Sequence, residues 1–166
     1  MRTDSLNSYN AIAADFNNDG WLDALARVTS ERLDSNLIVW KLFIATGDHQ
    51  YVEREMHFNA KMPNDIQFLQ VADLNNDGYK DIAFVKNEHT ILVLLGDREL
   101  SFAQTAELRL PVEYEIYIHS YGYLSDFAFN ANYDFDNNGY VDLFMQGVTN
   151  DFIVYLYPDL RITCQN

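Results

Sequence analysis

The chain has 166 residues, 11 of them basic and 25 acidic, for a formal net charge of −14. That balance excludes electrostatic capture of DNA or RNA, which needs clustered lysine and arginine to displace counterions. Hydrophobic residues make up 48% of the chain, enough for a packed core and too many for a disordered acidic tail.

In chain order, the first unit spans about residues 9–58. A strand leads into the turn Ala14-Asp15-Phe16-Asn17-Asn18-Asp19-Gly20-Trp21-Leu22-Asp23. Trp21 to Val28 then reads as a second strand and Leu37 to Ala45 as a third, with an insertion around Thr29 to Asn36. Turn residues Gly47-Asp48 precede a fourth strand at Tyr51 to Phe58. Leu37 to Ala45 is the longest apolar stretch and is broken by Lys41. It falls far short of the roughly 20 residues of a membrane-spanning helix.

The second unit, about residues 66–110, repeats this order. Its turn is Ala72-Asp73-Leu74-Asn75-Asn76-Asp77-Gly78-Tyr79-Lys80-Asp81, and its strands read as Tyr79 to Val85, Ile91 to Leu95 and, after Gly96-Asp97, Ser101 to Leu110. A Tyr-rich connection at 111–125, with Tyr114, Tyr117, Tyr121 and Tyr123, leads to the third unit at about 125–164. There the turn is Tyr133-Asp134-Phe135-Asp136-Asn137-Asn138-Gly139-Tyr140-Val141-Asp142. Strands at Tyr140 to Val148, Phe152 to Tyr157 and, after Pro158-Asp159, Leu160 to Cys164 complete it.

All three turns fit D-x-[DN]-x-[DN]-G-x-x-D, and their first acids lie 58 and 61 positions apart. Short strands rich in apolar and β-branched residues, with no sustained helical periodicity, predict an all-β fold. The repeat predicts three four-stranded antiparallel propeller-type blades, a partial β-propeller occupying residues 1–166 as a single segment.

The turns carry the chemistry. A tight loop aims alternate side chains inward, and glycine at position 6 permits the reversal. Asp15, Asn17, Asp19 and Asp23, with the carbonyl of Trp21, form one candidate ligand set. The second is Asp73, Asn75, Asp77 and Asp81 with the carbonyl of Tyr79, and the third is Asp134, Asp136, Asn138 and Asp142 with that of Tyr140. Five hard oxygen donors per loop, without sulfur or imidazole, point to calcium, one ion in each loop and three per chain. Three calcium ions would bring the formal charge from −14 to −8. An EF-hand would place glutamate at position 12, where this chain has Ala26, Phe84 and Met145, and a dockerin would follow each loop with a helix.

The three loops, their lead into a strand and their near-constant period resemble the FG-GAP or VCBS repeats of integrin-α-type β-propellers. The Phe-Gly and Gly-Ala-Pro signatures of the integrin repeats are absent, which makes bacterial-type VCBS repeats the nearer comparison. The resemblance implies a calcium-stabilised propeller in an extracellular, cell-surface or periplasmic setting, used for adhesion, ligand display or carbohydrate contact.

No hydrolase, metalloprotease or phosphate-loop motif is present, and the four histidines are scattered, so the chain reads as a non-enzyme. Cys164 is the sole cysteine, which forbids an intrachain disulfide. Trp21 and Trp40 fall in predicted strands and are expected between blades. Two functional classes follow. The first is a non-catalytic segment of an adhesion, surface or filament protein. The alternative is a carbohydrate-binding module, lectin-like or appended to a polysaccharide-degrading enzyme. Closed propellers need about four to eight blades. Three therefore imply a fragment of a longer chain, or a subunit whose packing is completed by other chains or copies of itself, as a ring or a filament. Glycans are the other expected partner. Nucleic acid and membrane insertion are not expected.

Overall fold

Ten strands organise the computed structural model, which describes residues 11–30, 37–47, 50–54, 56, 69–87, 90–109, 128–134 and 136–146. The first four strands are β1 (Ala11–Ala14), β2 (Asp23–Ser30), β3 (Leu37–Ala45) and β4 (Tyr51–Arg54). They form an antiparallel meander in the order β1-β2-β3-β4. A second meander repeats it with β5 (Leu69–Ala72), β6 (Asp81–Asn87), β7 (Thr90–Leu95) and β8 (Gln104–Arg109). In the third unit, β9 (Ala128–Tyr133) pairs antiparallel with β10 (Asp142–Gln146), with a register shift between Asp142 and Phe144. The described residues are thus all-β, with two four-stranded sheets and no helix. None of them forms a helix long and apolar enough to cross a membrane.

The registers of the two sheets correspond from the turns as far as Arg27 and Val85, beyond which β6 alone carries a shift between Val85 and Asn87. Ala24 faces Phe43 as Ile82 faces Leu94, and Ala14 faces Asp23 as Ala72 faces Asp81. Because side chains alternate along a strand, each register sorts its sheet into two faces. One face of the first sheet carries Leu25, Trp40 and Leu42, joined by Ile12, Ala14 and Ile44. It packs against the face of the second sheet that carries Leu69, Ile82, Phe84, Leu92 and Leu94. Leu100 and Phe102, in the turn after β7, close this core. Phe16 of the first turn meets Phe102 edge-on, ring centroids 6.2 Å apart at 76°, an arrangement worth about 0.5–1.5 kcal/mol beyond area burial. The Arg54 guanidinium donates to the Glu99 carbonyl across the same interface. β9 of the third unit approaches β5 of the second sheet.

The β3 bounds coincide with the expected strand at Leu37 to Ala45. Several expected bounds shift: β8 starts at Gln104 rather than Ser101, and β10 at Asp142 rather than Tyr140. β2 and β6 start at Asp23 and Asp81, because the turns hold Trp21 and Tyr79 through their backbone N–H groups. Trp40 is buried in the core as expected, but Trp21 lies in the turn, 55% exposed. Part of the expected insertion is strand, since Thr29 and Ser30 extend β2 and pair with Ile38 and Leu37. The remainder of the insertion, the Tyr-rich connection at 111–125, and the expected strands at Phe152 to Tyr157 and Leu160 to Cys164 lie outside the described residues.

Candidate metal centre

Each turn joins the first two strands of its unit and is built from the same hydrogen bonds. In the first, Asp15 accepts from the Asp19 N–H through Oδ1 (3.1 Å) and from the Gly20 N–H through Oδ2 (2.9 Å). The Asn17 Oδ1 also accepts from the Asp19 N–H, at 3.1 Å. Asp19 accepts from the Trp21 N–H (2.8 Å) and from Asn17 Nδ2 (2.8 Å). The second turn repeats every one of these with Asp73, Asn75, Asp77, Gly78 and Tyr79, each distance within 0.1 Å of its counterpart. In the third, Asp134 and Asp136 accept from the Asn138 N–H at 3.1 and 3.0 Å, and Gly139 donates to Asp134. Here Asp and Asn exchange positions 3 and 5, and the amide–carboxylate bond survives with its direction reversed: Asn138 Nδ2 donates to Asp136 at 3.0 Å.

Two backbone positions make this curl possible. Gly20, Gly78 and Gly139 take φ of 89°, 94° and 91°, where a side chain is strained. Asn18, Asn76 and Asn137, at position 4, take φ of 58°, 58° and 57°, the left-handed region that asparagine tolerates best after glycine. The signal for this second requirement was present as asparagine at position 4 of all three turns. Asn18 also donates to the Gly78 carbonyl of the neighbouring turn at 2.7 Å, tying one loop to the next.

The aspartate at position 9 starts the second strand of each unit and is buried in all three. Asp23 accepts from the Phe16 N–H (2.9 Å) and, across the sheet, from the Ala45 N–H (2.8 Å). Asp81 accepts likewise from Leu74 and Gly96, both at 2.8 Å. Each of these carboxylates therefore staples its turn to the end of the third strand. Burial pushes the Asp81 carboxyl up to about 6 against the opposing pull of the Gly96 and Leu74 donors, with the neighbouring Asp77 and Asp73 carboxylates adding to the rise.

The acids do not converge equally. Asp134, Asp136 and Asp142 bring ligand oxygens within 4.8 Å of one another, the one such acid group among the described residues. In the first two turns position 3 is asparagine, and the position-5 carboxylate is engaged by the side-chain amide of position 3 and the N–H of position 7. Trp21, Tyr79 and Tyr140 thus enter these hydrogen bonds as donors to position 5. The donor set is oxygen alone, anionic at three positions per turn and partly buried, and it suits a hard divalent cation such as calcium. Bound there, the cation would neutralise charges that otherwise repel within one turn.

Beside the second turn lies a feature that the motif does not announce. Asp97, after β7, accepts from the Ser101 N–H at 2.9 Å and from the Ser101 hydroxyl. Burial raises its carboxyl, but the Ser101 hydroxyl and the N–H groups of Ser101, Glu99 and Leu100 outweigh that and leave it below the usual carboxylate range. Leu100 and Phe102 in this segment take φ of 56° and 49°, a conformation costing large side chains about 1–2 kcal/mol each. Their burial in the core offsets that cost. No family model, curated protein or solved structure matches the chain.

Proposed function

We propose that the chain is a calcium-stabilised, non-catalytic segment of a β-propeller of the FG-GAP or VCBS type, working outside the cell or at its surface in adhesion or assembly. Its three units are blades, each turn takes one calcium ion, and other chains or further copies complete the blade packing. The observation that carries this reading is the reproduction of one oxygen-lined turn in all three units, with the same left-handed positions and backbone bonds even where Asp and Asn trade places. Three carboxylates crowded into one short turn repel one another, and a bound divalent cation would relieve that repulsion. Binding at the roughly 10⁻⁴–10⁻³ M typical of extracellular calcium modules keeps such sites filled outside cells.

Isothermal titration with calcium tests the reading, with three sites per chain expected. Because calcium binds the folded loops, saturation at about ten times Kd contributes about 1.4 kcal/mol per site, and chelation lowers Tm accordingly. Fewer than two sites, preference for zinc, or a Tm indifferent to chelator would defeat it.

A further inference from the structure

Asn138 and Gly139 form the one Asn-Gly dipeptide in the chain, and both are exposed in the third turn. Asparagine is thermally labile, and most so before glycine. There the following backbone nitrogen can attack the carboxamide carbon and close a five-membered ring, with no side chain on the attacking residue to obstruct it.

The turn gathers the groups that this reaction needs. The Asn138 Oδ1 accepts from the Tyr140 N–H at 2.8 Å, which curls the carboxamide back over the Gly139 peptide. The same N–H polarises the carbonyl and faces the oxygen on which negative charge develops during attack. The Gly139 N–H donates to Asp134 Oδ2 at 2.9 Å, so a carboxylate already touches the proton that the attacking nitrogen must lose. A Cβ built at Gly139 would meet nothing within 4 Å, which leaves water free to reach the ring.

We infer that the third turn is a self-modifying site, in which Asn138 of the folded protein loses its carboxamide nitrogen as ammonia with Asp134 acting as the base. The Gly139 nitrogen bonds to Asn138 Cγ as its proton passes to Asp134. The Cγ–Nδ2 bond then breaks, and Nδ2 takes that proton and leaves as ammonia. Water adds to one carbonyl of the resulting succinimide and reopens it, to aspartate or to isoaspartate. Aspartate adds one negative charge to the −14 of the chain and gives this turn the position-5 carboxylate that the other two already have. Isoaspartate routes the backbone through the side chain and adds a methylene before Gly139. No metal takes part, so the inference stands apart from the calcium reading.

The first two turns supply an internal control. Gly20 and Gly78 donate to Asp15 and Asp73 at 2.9 Å, and Trp21 and Tyr79 donate to position 5, in the same arrangement. Position 5 there is Asp19 or Asp77, whose carboxylate resists a nucleophile and has no ammonia to release. Asn17, Asn18, Asn75, Asn76 and Asn137 each precede Asn or Asp, whose side chains crowd the attacking nitrogen. The geometry recurs in three turns, and only the third sets a carboxamide in it.

Folding ordinarily slows this reaction by withholding the ring-forming geometry, which makes the folded rate the decisive measurement. The full chain is incubated folded and, in parallel, unfolded in guanidinium chloride across the neutral and mildly alkaline range. Tandem mass spectrometry of its peptides locates each conversion, and isoaspartyl methyltransferase labelling detects the isoaspartate. Asn138 should be the first asparagine converted, at least as fast in the folded chain as in the unfolded one at neutral pH. Its folded rate should level off toward lower pH, where the unfolded rate keeps falling with hydroxide. Asp134→Asn should slow the folded reaction about tenfold, a modest share of what general bases supply, restore the hydroxide dependence and leave the unfolded rate unchanged. A slower reaction in the folded chain than in the unfolded one, or another asparagine converting first, would overturn the inference. So would an Asp134→Asn variant with the rate and pH profile of the wild type. Should that variant fail to fold, the folded and unfolded rates of the wild type still decide the matter.

Discussion

The first and second sheets share strand order, the register next to the turn and every hydrogen bond of the turn, yet they are buried differently. In the second, β6 and β7 read as continuous buried runs, Asp81 to Val85 and Ile91 to Leu95, because both faces are covered. The first is covered less fully on its outward face, where Ala26 and Ala45 are buried but Ala24, Lys41 and Phe43 are only half-buried. Where the second sheet presents Leu69, Val71, Ile82, Phe84, Leu92 and Leu94 to its neighbour, the matching positions of the first are Ala11, Ala13, Ala24, Ala26, Lys41 and Phe43. Lys41 on that outward face pairs with Glu53 at 2.8 Å. The same backbone and the same turn thus serve two packing environments, and only the alternating side chains record which face meets another sheet. On this outward face, small residues and an ion pair take most of the places that bulky apolar residues fill in the second sheet.

The largest effect that sharpens this contrast comes from the core. Phe84 is buried between the sheets, and Phe84→Ala should cost about 3–5 kcal/mol in urea unfolding. Phe43→Ala, on the half-buried outward face of the first sheet, should cost less than half as much. Equal losses would mean that the outward face is packed as tightly as the interface, and the contrast would fail.

Next comes the position where the two third strands end. A Cβ at Gly96 would stand 2.2 Å from the Lys80 carbonyl oxygen and 2.9 Å from its carbon. These are backbone atoms and cannot swing aside. The counterpart in the first sheet, Ala45, already carries a Cβ. Gly96→Ala should destabilise by about 1–3 kcal/mol or more through forced backbone movement, and it should disturb the Gly96 donor to Asp81. Ala45→Gly should cost only about 0.5–1 kcal/mol through chain entropy. Thermal melts of the two variants measure the difference; a silent Gly96→Ala would show that the second turn has room to shift.

Much of this was legible without coordinates, and the reason is local. β3 can be read end to end because nine residues from Leu37 are apolar or β-branched apart from Lys41, and turn residues follow. The turns are legible because glycine and carboxylate spacing is a property of consecutive residues. The starts of β2 and β6 are not, since Trp21 and Tyr79 have strand composition but are held in the turn by Asp19 and Asp77. Nor is the role of position 9 as a staple, because its second donor comes from a residue 22 positions away in one sheet and 15 in the other. The left-handed Leu100 and Phe102 lie beyond any composition rule: both are buried in the shared core, Phe102 against the Phe16 ring.

A smaller effect separates the two sheets by pH. The Asp97 carboxyl is held below its ordinary value of 3.8, so its contribution is fully present above the unfolded value and is lost as pH falls through the lower folded one. Stability should therefore decline below about pH 4, in part through this group. In Asp97→Asn that portion of the decline should disappear. The first sheet has Thr46 at the matching place, its hydroxyl donating to the Gln50 carbonyl at 3.3 Å, and Thr46→Ala should leave the shape of the acid limb unchanged. Identical acid limbs for wild type and Asp97→Asn would remove Asp97 from the account.

The smallest expected effect concerns the bond between turns. Asn18 holds a left-handed φ and also donates to the Gly78 carbonyl, so two roles are combined in one exposed side chain. Two substitutions divide them. Asn18→Gly keeps the backbone at ease and removes only the inter-turn bond, which for an exposed neutral pair is worth about 0.5–1.5 kcal/mol. Asn18→Ala removes the bond and adds the left-handed penalty, about 1 kcal/mol more. Asn137→Gly and Asn137→Ala in the third turn, where φ is the same, provide the reference for the backbone term alone. If the glycine variant at 18 proves as stable as wild type, the turns are positioned by the Phe16–Phe102 contact and the shared core, and the inter-turn bond only follows that placement. If it loses the expected amount, the first turn is partly held by the second through this bond.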